Sequence, residues 1–119
     1  MKKLFLLLLY LAFSCGKPLP QFENMDMAKW RNDKNGCKGD RVKMLPALNE
    51  QKGKLKALSE DEILELLGRP DQNELWKRNQ KFYHYFLEAS IKCDSTKKYA
   101  QKLTIRFNAM KLAKEVVIE

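Results

Sequence analysis

The stretch Leu58-Ser59-Glu60-Asp61-Glu62-Ile63-Leu64-Glu65-Leu66-Leu67-Gly68-Arg69-Pro70 constrains the fold more than any other, because it fixes a helix at both ends. Ser59 is a natural N-cap, and Glu62 three residues on completes a capping box. Leu58 before the cap can pack on Ile63 as a hydrophobic staple. Glu60, Asp61 and Glu62 set negative charge at the positive end of the helix dipole. Ile63, Leu66 and Leu67 share one apolar face, with Leu64 beside it. Gly68 supplies a left-handed stop, and Pro70 prevents continuation.

After Pro70 the hydrophobic period changes from helical to strand-like. Lys81 to Glu88 is dense in aromatics (Phe82, Tyr83, Tyr85, Phe86), and Leu103, Ile105 and Phe107 alternate with Thr104 and Arg106. Asn108 to Leu112 reads as a turn and Ala113 to Ile118 as a closing strand. Lys111 stands in that turn where glycine is expected. Upstream, Phe22 to Asn32 carries Met25, Met27 and Trp30 at short-helix spacing. Val42, Leu45 and Leu48 continue a helical pattern across Arg41 to Lys54. That helix either starts near Lys43 or bends there, since proline at position 46 is tolerated in a first turn but not in a helix interior. Two to three N-terminal helices packed on one face of a three-stranded antiparallel meander make an α+β domain.

The first residues carry a different kind of information. Met1-Lys2-Lys3 is a short positive start, Leu4 to Phe13 is an unbroken apolar run, and Ser14-Cys15-Gly16 closes it. A basic n-region, an apolar h-region and a small-residue cleavage site spell a secretory signal. The run is shorter than the ~20 residues that a bilayer-spanning helix needs. The cysteine after the small residue resembles the lipobox of bacterial lipoproteins, in which the thiol is acylated and becomes the new N-terminus. Ala12 stands where leucine is usual, so a plain cleaved signal is the rival reading. Lipidation at Cys15 divides the chain into a signal peptide over 1–14, a Pro18- and Pro20-bearing tether over 15–21 and one domain over 22–119. It also places the protein in the cell envelope, lipid-anchored, on the periplasmic side of an outer membrane.

With Cys15 consumed by lipid, Cys37 and Cys93 remain as a pair. In an oxidising compartment they should join as a disulfide. The loop so closed is long enough to stabilise the domain by about 3–5 kcal/mol in the chain-entropy picture. A metal is the rival, but two isolated cysteines and one distant histidine offer no ligand spacing, so no metal and no cofactor is expected. Asp33 to Asp40 evokes a calcium loop through Asp33, Asn35, Gly36 and Asp40, yet it lacks the alternating oxygen ligands and the bidentate glutamate. It reads as a disulfide-pinned turn.

Charge narrows the partners. The formal net charge is +8, or +6 once residues 1–14 are removed, with lysines scattered along the chain and no block of five or more like charges. No stripe of Lys/Arg interleaved with stacking aromatics appears, so nucleic acid is not an expected partner.

The helix with its Leu67-Gly68-Arg69-Pro70-Asp71 ending resembles a motif of the SmpA/OmlA (BamE-like) small outer-membrane lipoproteins, in which a capped helix feeds an antiparallel sheet with aromatic first-strand residues. Tyr83, Tyr85 and Leu103-Thr104-Ile105-Arg106-Phe107-Asn108 look like that sheet, and the beta-lactamase-inhibitor-protein architecture shares the plan. The resemblance spans roughly Lys43 to Ile118. The stretch from Trp30 through Cys37 to Arg41 looks more like a Bacteroidetes-type subset. The resemblance implies a non-catalytic accessory in outer-membrane protein assembly, with an envelope protein such as a beta-barrel assembly complex as partner and the membrane met through the lipid.

Catalysis has little footing. His84 is the only histidine and reads as a strand residue pairing across the sheet; no nucleophile, phosphate loop or paired-metal set accompanies it. Glu60, Asp61 and Glu62 are explained by capping, and Glu65 by solvent. Two classes of function remain: a tethered structural accessory, and an exported inhibitor-like or ligand-binding domain that uses an aromatic sheet face at Tyr83 and Tyr85. A contiguous exposed patch at those tyrosines would favour the second.

Overall fold

The structure, a computed structural model, describes residues 18–119. The expected signal over 1–14, Cys15 and the first part of the expected tether lie outside the described residues. Within them four α-helices precede a four-stranded antiparallel sheet: α1 Met27–Asn32, α2 Asp40–Lys43, α3 Leu45–Gln51 and α4 Glu60–Leu67, then β1 Gln72–Trp76, β2 Gln80–Phe86, β3 Lys102–Phe107 and β4 Ala113–Ile118. The strands follow one another in space in sequence order, a simple meander.

α4 forms as its sequence dictates. The Ser59 hydroxyl accepts the Glu62 N–H at 3.2 Å, and the Glu62 carboxylate accepts the Ser59 N–H at 3.1 Å. Ile63, Leu66 and Leu67 are buried on the core side. Gly68 ends the helix at φ 78° and ψ −170°, a region open essentially to glycine alone. Pro46 sits in the first turn of α3, as expected, and the helical stretch splits at Met44 rather than running on. That split raises the helix number to four.

The sheet has one strand more than the sequence pattern suggested. β1 pairs with β2 from Gln72↔His84 to Trp76↔Gln80. It is an edge strand exposed on both faces, so Gln72-Asn73-Glu74-Leu75-Trp76 shows none of the apolar–polar alternation that marks a half-buried strand. β3 and β4 match expectation, with the turn between them pinned by Asn108, whose side chain accepts the N–H groups of Met110 and Leu112. Lys111 takes the left-handed conformation there, φ 64°, in the place where glycine was expected.

The core lies between the helices and one face of the sheet. Trp30, Leu48, Leu55, Ile63, Leu67, Tyr85, Leu103, Ile105 and Phe107 are all fully buried in it. Leu19, within the expected tether, and Phe22, just after it, pack against the same cluster. Cys37 and Cys93 form the disulfide, with Cα atoms 5.4 Å apart across 56 residues of sequence. It joins the loop after α1 to the long β2–β3 connection, and closing a loop of that length contributes about 4 kcal/mol in the chain-entropy picture. Next to it Gly36, at φ 70°, lies against the backbone of Glu88 so closely that a Cβ would collide with the Glu88 carbonyl.

The helical half is locked to the sheet by Arg41. Its guanidinium is buried (side chain 1 % exposed), as is the Asp71 carboxylate it meets at 2.6 Å. It also donates to the carbonyls of Phe86 at 3.0 Å and Trp30 at 3.0 Å, and it lies 4.8 Å from the Trp30 ring centre. Asp71 accepts two further bonds, from the N–H groups of Asn35 and Phe86. Removing one partner of such a buried pair strands the other charge without water. Asp71→Ala is therefore expected to lower unfolding stability by about 3–5 kcal/mol, measured by urea denaturation with the disulfide intact. An exposed control, Lys56→Ala, should change it by less than about 0.5 kcal/mol.

Candidate functional site

The helices cover one face of the sheet and leave the other open, so the candidate site is that second face and the edge where it ends. Cross-strand partners share a face: Tyr83 pairs with Ile105 and Tyr85 with Leu103, all of them core residues. Tyr83 is 4 % exposed and Tyr85 fully buried, its hydroxyl bonded to the Gly68 carbonyl at 2.8 Å. Burial pushes both phenols up. They form no exposed patch, so the aromatic surface that the sequence suggested at these tyrosines is the inner wall of the core.

The open face belongs to the alternate residues. Trp76 and Glu74 of β1, Phe82 and His84 of β2, and Thr104 and Arg106 of β3 lie there by strand alternation and register. Trp76 is 60 % exposed and packs edge-on against Phe82 at 6.2 Å; Phe82 in turn stacks on the His84 ring at 6.2 Å with planes 7° apart. The Trp76 indole donates to Glu74 at 2.9 Å. A row of three rings thus runs from the sheet corner inward, with Glu74 beside it. Arg106 and Glu115 pair at 3.1 Å further across, exposed enough that screening leaves the pair little weight.

His84 ends this row and is itself buried. His84 Nδ1 lies 2.9 Å from the Thr104 hydroxyl, which also donates to the Glu119 carboxylate at 3.0 Å. Nε2 lies 3.4 Å from the Glu74 carboxylate and makes no hydrogen bond. A second proton on the ring would be favoured by that carboxylate. Burial opposes that proton, and so does the nearby Lys102 charge; together they hold the imidazole below its ordinary pKa despite Glu74 and Glu119. At neutral pH His84 is a neutral, positioned ring rather than a base with a substrate in reach.

On the helix side of the same corner, a cleft of about 480 Å³ opens beside β1, lined by Asn73, Leu75, Lys81, Lys111, Glu60 and Asn79 among others. Lys81 bonds Glu60 at 3.0 Å there, and that bond holds its ammonium above the usual value. Among the described residues no set of three or more His, Cys, Asp or Glu is arranged to hold a metal ion, and no helix is long and apolar enough to cross a membrane. Cys37 and Cys93 act as a staple, and Cys15 lies outside the described residues.

Sequence reasoning missed Trp76, Glu74 and Phe82. The available signal was parity: once Leu103, Ile105 and Phe107 face the core, a register placing Tyr83 and Tyr85 opposite them sends Phe82 and His84 outward. The register itself is not written in an aromatic run that is apolar at nearly every position.

No protein-family model, no curated protein and no solved structure matches this chain.

The His84 geometry predicts a pH dependence. A histidine whose folded pKa is depressed stabilises the fold fully above its unfolded pKa of about 6.5, and loses that contribution as pH falls, because the unfolded state then binds the proton more readily. Melting temperature is expected to fall between about pH 7.5 and 5 more steeply for the wild type than for His84→Gln. Parallel curves for the two proteins would show that His84 titrates normally in the fold.

Proposed function

We propose that this chain is a non-catalytic envelope module, held at a membrane by lipid on Cys15, that binds another envelope protein through the uncovered side of its sheet. One observation carries the reading: the helices cover a single face, and the face left open presents the ring row Trp76–Phe82–His84 at its corner. An exposed tryptophan beside a half-buried phenylalanine is the kind of aromatic anchor that dominates protein interfaces.

The finer reading is an accessory in outer-membrane barrel assembly, in the manner of the SmpA/OmlA (BamE-like) lipoproteins. Its support is the α4 capping box leading through Gly68-Arg69-Pro70-Asp71 into an antiparallel meander. An inhibitor-like module would use the same open face, and the identity of the captured partner separates the two.

A photo-crosslinking residue placed at Trp76 or Phe82 in cells is expected to capture one and the same envelope protein. The same probe at Glu50, on α3 in the helical layer that covers the other face, should not capture it. Cys15→Ala is expected to move the protein from the membrane to the soluble fraction. Retention of Cys15→Ala on the membrane would remove the anchor from the proposal, and identical capture from all three positions would remove the open face.

A further inference from the structure

The two edges of the sheet are treated very differently. β4 is irregular where it meets β3, at Arg106/Phe107, and carries Lys114 and Glu115. The segment Ala57–Ser59 bonds to its start, through Ala57 N–H to the Ala113 carbonyl and Ala113 N–H to the Leu58 carbonyl, and the 3₁₀ turn Lys52–Leu55 packs against it. Those are the devices by which proteins blunt a strand edge: irregularity, charge and cover. β1 has neither irregularity nor cover, and its one charge is Glu74. It pairs with β2 in an unbroken register, contains no lysine and no proline, and has β2 as its one substantial neighbour among the secondary-structure elements.

Which groups it offers follows from the hydrogen bonds. The His84 carbonyl accepts the Asp71 N–H and the Phe86 N–H bonds the Asp71 carboxylate, whereas the Leu87 N–H bonds Gln101 at the start of β3. The even-numbered residues of β2 therefore turn their backbone toward β1, and their register partners are Gln72, Glu74 and Trp76. Asn73 and Leu75 are left with N–H and C=O groups pointing away from the sheet. The Leu75 side chain is 75 % exposed and stands in the cleft beside them.

Charge decides the occupant. Lys77, Arg78 and Lys111 ring this end of the strand, all exposed, and none of them makes an ion pair among the described residues, whereas Glu60 and Glu74 are already engaged by Lys81 and by the Trp76 indole. Arg78 and Lys111 both hold positive φ, 64° each, where glycine would be unstrained, so cationic side chains stand at two adjacent turn tips despite the cost. A second copy of the chain fits poorly. Full antiparallel overlap of β1 with itself sets Glu74 opposite Glu74, and like charges directly opposite destabilise a ladder.

We propose that the β1 edge accepts an extended, acidic segment of a partner protein as a fifth strand, main chain on Asn73 and Leu75, one apolar side chain beside Leu75 and carboxylates toward Lys77, Arg78 and Lys111. Main-chain bonds supply the attachment and the flanking charges choose the sequence, as in strand addition generally. The proposal rests on the reading of the chain as a protein-binding module and names the chemistry of what is bound.

The test uses the full chain and three capped peptides that carry a strand of the length of β1 in alternating valine and threonine: one with glutamates flanking the strand at both ends, one with lysines there, and the glutamate peptide with every second amide N-methylated. The glutamate peptide is expected to slow amide exchange at Asn73 and Leu75 and to bind roughly tenfold more tightly than the lysine peptide. The N-methylated peptide should not bind. Asn73→Pro, which removes an outward N–H that an edge strand can spare, and Leu75→Lys, which keeps the amide but adds an edge charge, should each weaken binding roughly tenfold while melting like the wild type. Saturable binding that survives both substitutions, equal binding of the lysine or N-methylated peptide, or no binding of the glutamate peptide would overturn the proposal. So would a peptide-free dimer that protects the same amides. If the peptide fails while the Trp76 crosslink still captures its partner, only the edge proposal falls and the open-face reading stands.

Discussion

The buried pair of Arg41 and Asp71 is the constraint on which the rest of this domain depends. Arg41 comes from the short helix α2, Asp71 from the link between α4 and β1, and their meeting point is the end of β2, where Phe86 contributes both its N–H and its carbonyl. A charge pair in this position gives little net stability over an apolar substitute, because desolvation offsets most of the attraction. What it supplies is an address. A guanidinium with its bonds directed to Asp71, Phe86 and Trp30 ties the helices to the end of β2. The backbone N–H of Arg41 bonds Asp33 at 2.9 Å, and the Lys38 N–H bonds the same carboxylate, so the disulfide-bearing loop is ordered by this hub as well.

With that end fixed, the asymmetry of the sheet follows. The hub and the disulfide hold the β2–β3 end, and α4 runs from there toward the opposite corner, where Glu60 meets Lys81. Eight residues of helix span about 12 Å at 1.5 Å per residue. Its first residue, Glu60, reaches this corner against Lys81 of β2, the register partner of Leu75. β1 lies at the margin of that cover, so Leu75, on the inner face, is exposed although Tyr83, two strand positions along and one strand over, is not. Trp76 is exposed on the opposite face, so the exposed apolar groups at this corner follow from the edge position of β1.

Much of this was legible in the sequence, for physical reasons that differ by element. α4 declared itself because its caps are local: Ser59, Glu62 and Gly68 act within one turn of themselves. β3 and β4 were legible because they are half-buried, and burial on one side writes a period of two into Leu103, Ile105 and Phe107. The Cys37–Cys93 pairing followed from cysteine number once Cys15 was assigned elsewhere. β1 was not legible because an edge strand exposed on both faces leaves no pattern. The phase of β2 was not legible either, since Phe82, Tyr83, Tyr85 and Phe86 are apolar on both sides. Arg41 and Asp71 gave no signal, because a buried charge pair separated by 30 residues looks in sequence like two surface charges.

The same asymmetry explains why the open face tolerates a buried histidine. His84 sits where Phe82 stacks on one side and Glu74 and Thr104 close over its nitrogens, on a face that the helices leave uncovered. In a surface built only for solubility such a ring would be turned to water and its Nε2 satisfied there. Here it is held neutral by burial and by Lys102, with Nε2 3.4 Å from the Glu74 carboxylate and without a hydrogen bond. A buried polar nitrogen left without a partner costs roughly 1–3 kcal/mol. A polar group of a binding partner that reached Nε2 would recover that cost, and the ring row that leads to Trp76 marks the side from which it would come.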